Sequence, residues 1–190
     1  MSRKEEKYPL PAWMRIDKRP MDKGKWNQWG YGYSRKVGRN EVWRPVTRCF
    51  IRKDTPRICA YQEVKFPFGD YWVSDHGRVF STITGEIICS RRTHNRKYLC
   101  LVAENGSRIR TRRYRIAMDN FIELPEHLRS VIRHLANSIN HIDGRPWNDR
   151  LDNLEYTPKS VNLEHYHSVL MTDKKQRKRE SCNEKKQRKS

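Results

Sequence analysis

One stretch limits what this chain can fold into more than any other: residues 140–165, NHIDGRPWNDRLDNLEYTPKSVNLEH. An amide and an imidazole stand side by side at Asn140 and His141, followed by an acidic-glycine turn at Asp143-Gly144 and a polar loop. A short apolar run (154–156) leads to Thr157-Pro158, a helix start with Thr as N-cap and Pro in the first turn. Asn162 lies one turn inside that helix, and His165 follows three residues later on the same face. The order predicts a strand ending in a histidine, a loop, a second strand, and a helix returning Asn162 towards the histidine. That is a compact site for one divalent cation beside one general base.

The same residues resemble the HNH nuclease domain, the ββα-metal fold of homing endonucleases in phages and mobile introns. The spacing agrees across the segment, including the NHIDG and RLDNLE runs, and covers about 30 residues. The resemblance implies that His141 activates water, that Asn140 and Asn162 hold the metal, and that Asn153 fixes the loop. Taken singly, each of these residues is more often a loop-stabilising polar group than part of a catalytic site. Their combination at this spacing is what points to chemistry.

Phosphodiester hydrolysis needs an in-line water, a base for its proton, and a cation to neutralise charge at phosphorus and the leaving oxygen. An imidazole, with an ordinary pKa near ~6.5, suits the base. Amide oxygens of Asn140 and Asn162 suit Mg²⁺ or another divalent cation, weakly held without substrate because neutral amides bind it less well than carboxylates. Neighbours on a regular strand face opposite ways, so Asn140 and His141 share a site only if the strand bends or ends there. Arg145, Arg150 and Lys159 flank the loop and suit phosphate contacts. His165 either supports the metal ligands or touches phosphate; His127 and His134 read as surface residues.

The net charge of +19 is unevenly spread. Residues 1–60 hold 16 Lys/Arg against 6 Asp/Glu, residues 61–170 hold 16 against 13, and residues 171–190 hold 9 against 3. Basic ends around a near-neutral middle suggest a folded body with arms that grip a polyanion. In the first arm, residues 23–36 (KGKWNQWGYGYSRK) interleave cations with aromatic rings. Rings stack on unpaired bases while cations meet phosphates, which makes Lys23, Lys25, Trp26, Trp29, Arg35 and Lys36 candidate nucleic-acid contacts. The same rings would also serve as a strap packed on the core.

Between the arms, residues 71–111 read as a small antiparallel sheet, with turns at Asp75-His76-Gly77, Thr84-Gly85 and Asn105-Gly106. The run Tyr71-Trp72-Val73-Ser74-Asp75-His76-Gly77-Arg78-Val79 resembles the Y-x-V-S-x-x-G-R-V module that precedes HNH domains in many homing endonucleases. Most of this stretch reads as a structural sheet, from which Arg91, Arg92, Arg96, Arg108 and Arg110 could still face phosphate. Residues 114–122 read as a helix burying Ile116, Ala117 and Phe121. It resembles the family's helix before the site, which usually opens with His-Arg where this chain has Tyr114-Arg115. Apolar residues at 124, 128, 131, 135 and 139 predict a further, inserted helix. The last 20 residues are charged low-complexity sequence that would be disordered alone.

The expected fold class is therefore α+β: a small antiparallel module (61–112), then a helix and a ββα-metal domain (113–170), with extended basic arms at 1–60 and 171–190. No run of about 20 apolar residues spans a membrane, and the N-terminus lacks the apolar segment of a secretory signal. Five cysteines without a C-x-x-C pair argue against a zinc knuckle and for reduced thiols in an intracellular compartment. Phage or bacterial cytoplasm and mitochondrial matrix fit equally. Two functions follow: a metal-dependent endonuclease hydrolysing DNA with His141 as general base, or a catalytically silent HNH-type protein binding rRNA within an organellar ribosome or other ribonucleoprotein, beside neighbouring proteins.

Overall fold

Hairpins closed by left-handed glycines build most of the molecule. The computed structural model describes residues 7–20, 38–54, 59–89, 91–93, 96–123 and 138–171. Gly77 (φ +76°) turns strand β4 (Tyr71–Ser74) into β5 (Val79–Ser81), and Gly85 (φ +72°) turns β5 into β6 (Glu86–Ile87). Such φ values cost glycine little because it lacks a Cβ. Strand β1 (Trp43–Pro45) adds to the outer edge of this meander, giving the order β1-β4-β5-β6. A separate hairpin pairs β2 (Arg48–Asp54) with β3 (Cys59–Lys65). A three-stranded sheet joins β7 (Arg91–Thr93), β8 (Arg96–Val102) and β9 (Arg108–Thr111), with Asn105-Gly106 in the β8–β9 turn. The architecture is α+β, with small sheets and two short helices.

The 71–111 region is thus two sheets rather than one, because β6 ends after two residues and β7 does not pair with it. Residues 43–54, grouped with the arm by their charge, are strands of the folded body. Trp43 is 1% exposed, and Val46 and Cys49 are completely covered. The cations between them hid this pattern, and one is itself internal: Arg44 is held by the Asp17 carboxylate and by the carbonyls of Arg19 and Pro20.

Helix α1 (Arg113–Phe121) crosses the sheets and buries Ile116, Ala117, Met118 and Phe121. It buries Asp119 and Asn120 as well, which is tolerable only because both find partners. Asn120 accepts from the Thr47 N–H and donates to the carbonyls of Arg48 and Ile116. Asp119 accepts from the Phe50 N–H and the Tyr156 hydroxyl. The helix is thereby stitched to β2 on one side and to the candidate site's second strand on the other.

Strand β10 (Ser138–His141) pairs antiparallel with β11 (Leu154–Thr157), and helix α2 (Lys159–His165) follows. Ile139 belongs to β10 opposite Tyr156, so the inserted helix does not extend to it; residues 124–137 of that helix lie outside the described set. Strand pairing and burial of Ile139 override its helical spacing. Thr157 is not the N-cap either. It is fully buried at the end of β11 opposite Ser138, and Pro158 takes the cap position without a side-chain hydrogen bond. Leu151 and Leu154 carry the hairpin into the same core as Val73, Val79, Leu101 and Phe121. No helix among the described residues is long and apolar enough to cross a membrane.

Candidate functional site

The loop between β10 and β11 is held by one buried amide. Asn153 accepts the Asp143 N–H at 2.9 Å and donates to the Asp143 carboxylate and the Asn148 carbonyl at 2.8 and 2.9 Å. Its own carbonyl receives the Ile142 N–H, and the Gly144 N–H closes a turn onto the His141 carbonyl. Partial burial would raise the Asp143 pKa, but hydrogen bonds from Asn148, the Arg145 N–H and Asn153 outweigh it and hold that carboxyl below its usual value.

His141, at the end of β10, turns towards α1. Its Nε2 lies 3.1 Å from Asp149 Oδ1, and its ring meets the Tyr114 ring edge-on at 5.2 Å. The other oxygen of Asp149 takes a guanidinium N–H of Arg113 at 3.0 Å. Among the described residues the Nδ1 of His141 has no hydrogen bond, and it is not fully sealed from solvent. The loop is also pressed from the meander side. A Cβ on Gly77 would sit 2.5 Å from the Asp149 Cβ and carbonyl oxygen, and the Leu151 N–H bonds the Asp75 carbonyl.

Asn140 faces the other way. Its amide bonds Glu155 Oε1 across the hairpin at 2.9 Å. A carboxylate only accepts, so the Asn140 NH₂ must point to Glu155 and its oxygen points elsewhere. Asn162 donates to the Ser138 hydroxyl, two residues along β10 and hence on the face of Asn140. Among the described residues neither amide oxygen receives a hydrogen bond, and neither is fully sealed from solvent. Two unused amide oxygens with a carboxylate alongside form a donor set that suits a hard divalent cation keeping several waters. Among the described residues no group of three His, Cys, Asp or Glu side chains could hold a metal.

Helix α2 therefore returns Asn162 to β10 but not to the imidazole. Strand alternation puts Asn140 and Asn162 on one face, His141 on the other, and the strand ends at that point. His165 is half-buried, with its Nδ1 covered and without a partner. Arg145 and Lys159 are exposed, while Arg150 is paired with Asp152 and touches His76. Arg91 and Arg92 lie on β7, and Lys23, Lys25, Trp26, Trp29, Arg35 and Lys36 fall outside the described residues. Sequence reasoning missed Asp149, Arg113 and Glu155. The only signals were an acid in the loop eight residues after His141 and an acid one residue past the apolar start of β11.

No known family pattern and no curated protein matches this chain. It is similar to a solved structure of DNA binding and cleavage by the HNH homing endonuclease I-HmuI, with 24% identity and a TM-score of 0.43. The overlap spans 53% of this chain and 53% of that one, about half of each. The functional reading therefore rests on the residues of the site.

Proposed function

We propose that this chain is a nucleic-acid-binding enzyme of the HNH endonuclease type, hydrolysing DNA phosphodiesters with His141 as general base. The observation that supports this reading is a pair of amide oxygens without a hydrogen bond among the described residues, Asn140 on β10 and Asn162 on α2 beside it, the first of them next in sequence to the imidazole of His141. The amides and the imidazole lie on opposite faces, so a phosphodiester would reach both only by lying across the end of β10, where the strand stops. A divalent cation on the amide oxygens would neutralise charge at phosphorus and at the leaving oxygen. His141 takes one proton from the attacking water, whose oxygen forms the new bond to phosphorus. As the bond to the leaving oxygen breaks, that oxygen takes up a proton from solvent. Asn153 keeps the His141 loop in place throughout, and Arg145 and Lys159 offer exposed cations to flanking phosphates. The net charge of +19 and a sequence pI near 10.0 favour a polyanionic partner.

The test is plasmid nicking by the full chain with Mg²⁺. Nicking is expected to vanish with EDTA and in His141→Ala, and to demand far more Mg²⁺ in Asn162→Ala. Tight binding of structured RNA without cleavage of any nucleic acid would instead favour the silent ribonucleoprotein reading. Nicking that survives His141→Ala would remove the general-base assignment.

A further inference from the structure

We infer that Asp149 is the positioning residue of this site. It fixes the proton of neutral His141 on Nε2, so that Nδ1 is the atom that takes the proton from water. The purpose of this arrangement rests on the nuclease reading; its geometry does not.

Three features support it. The Asp149 side chain is 6% exposed and both its oxygens are engaged, one by His141 Nε2 at 3.1 Å and one by Arg113 at 3.0 Å. A carboxylate can only accept, so the ring nitrogen facing it must carry the hydrogen. That leaves Nδ1 with a lone pair, no partner among the described residues and an atom not fully covered, on a side chain 11% exposed. Second, the backbone that carries this carboxylate is hemmed in. Gly77 packs against its Cβ at a distance no other residue could match, and the Leu151 N–H to Asp75 carbonyl bond pins the following residues. Third, the Tyr114 ring stands edge-on to the imidazole at 89° and limits its rotation. When His141 accepts the proton from water, the imidazolium forms next to Asp149, whose negative charge stabilises it.

Arg113 makes the inference sharply testable. A guanidinium only donates. In Asp149→Asn, the new amide must turn its oxygen to Arg113 and its NH₂ to His141. Nε2 then has to accept, and the proton moves to Nδ1, the atom needed as base. In the double variant Arg113→Met, Asp149→Asn the amide is free to turn round, and the original tautomer returns. A merely structural Asp149, pinning the loop to α1, predicts no such rescue, since the double variant has lost more contacts than the single one.

The experiment is nitrogen-15 NMR of the His141 ring in the full chain at a pH where it is neutral, alongside nicking kinetics. Expected are an Nε2–H ring in the wild type, an Nδ1–H ring in Asp149→Asn with kcat lower by about 10²–10⁴-fold and KM little changed, and an Nε2–H ring with partial recovery of kcat in the double variant. An Nδ1–H ring in the wild type overturns the inference without needing any variant to fold, and leaves the nuclease reading standing if nicking is present. The expected ring states in a chain that cleaves nothing uphold the positioning by Asp149 and sink the nuclease reading alone.

Discussion

Asp119 sits in the core with its carboxylate fully enclosed, and burial pushes its pKa up to about 6 from the usual 3.8. The charges of Arg115 and Arg48 and the hydrogen bonds from Phe50 and Tyr156 pull the other way without cancelling burial. The folded state therefore holds this proton more tightly than the unfolded chain. Below pH 3.8 both states carry it. Between 3.8 and about 6 only the folded state does, so the stability contributed by this group falls as pH rises across that window. A shift of this size corresponds to about 3 kcal/mol, fully lost above pH 6. Asp119→Asn cannot titrate. Its carbonyl can accept the Phe50 N–H while its NH₂ donates to the Tyr156 oxygen, so at most the Tyr156 hydroxyl hydrogen is left unpaired, a cost of about 1–3 kcal/mol that does not vary with pH. Urea unfolding of both proteins at pH 4, 5, 6 and 7 separates the two effects. The wild type should lose about 2 kcal/mol relative to the variant between pH 4 and 7, while other titrating groups cancel in the difference. A difference that stays flat across that range would refute the argument that burial dominates at Asp119.

Other consequences are as direct. Asn153→Ala removes three hydrogen bonds from the loop and should cost about 3 kcal/mol, read as a fall in Tm of about 6–12 °C. Gly77→Ala and Gly106→Ala share φ +76°, but only the first meets protein, at Asp149. Both should lose stability through backbone strain, and only Gly77→Ala should also slow nicking; equal nicking in the two would show that the Asp149 contact is unimportant. Burial and the nearby Asp119 charge push the Cys49 thiol up to about 12. Iodoacetamide with mass spectrometry should therefore modify the exposed Cys89 and Cys100 in the native protein and spare Cys49 until it is unfolded.

Local chemistry was readable where a feature acts over a few residues. The glycine turns at 77, 85 and 106 need left-handed backbone, and the segment 138–165 carries its own strand, loop, strand and helix order. What escaped notice depends on distant partners. β1 and β2 read as arm because Arg44 and Arg48 interrupt their apolar residues, and nothing local reveals that Asp17 lies in wait for Arg44. Nothing local marks out Asp149 within its polar loop, because Arg113 and Gly77, which meet it, come from elsewhere in the chain. Thr157-Pro158 signalled a cap correctly in composition, but pairing with Ser138 claimed the threonine for the strand.

The glycine turn that abuts Asp149 has one more implication. The hairpin and helix could in principle carry their amide oxygens alone, yet the imidazole is aimed by a wall built from the meander and by a cation at the start of α1. On the proposed nuclease reading, a cation would be held by the hairpin and helix, while the orientation of the base would draw also on the meander and α1. A fragment confined to residues 138–171 would keep Asp149 but lose Gly77 and Arg113, which tie the upstream sheet and helix to the orientation of the imidazole.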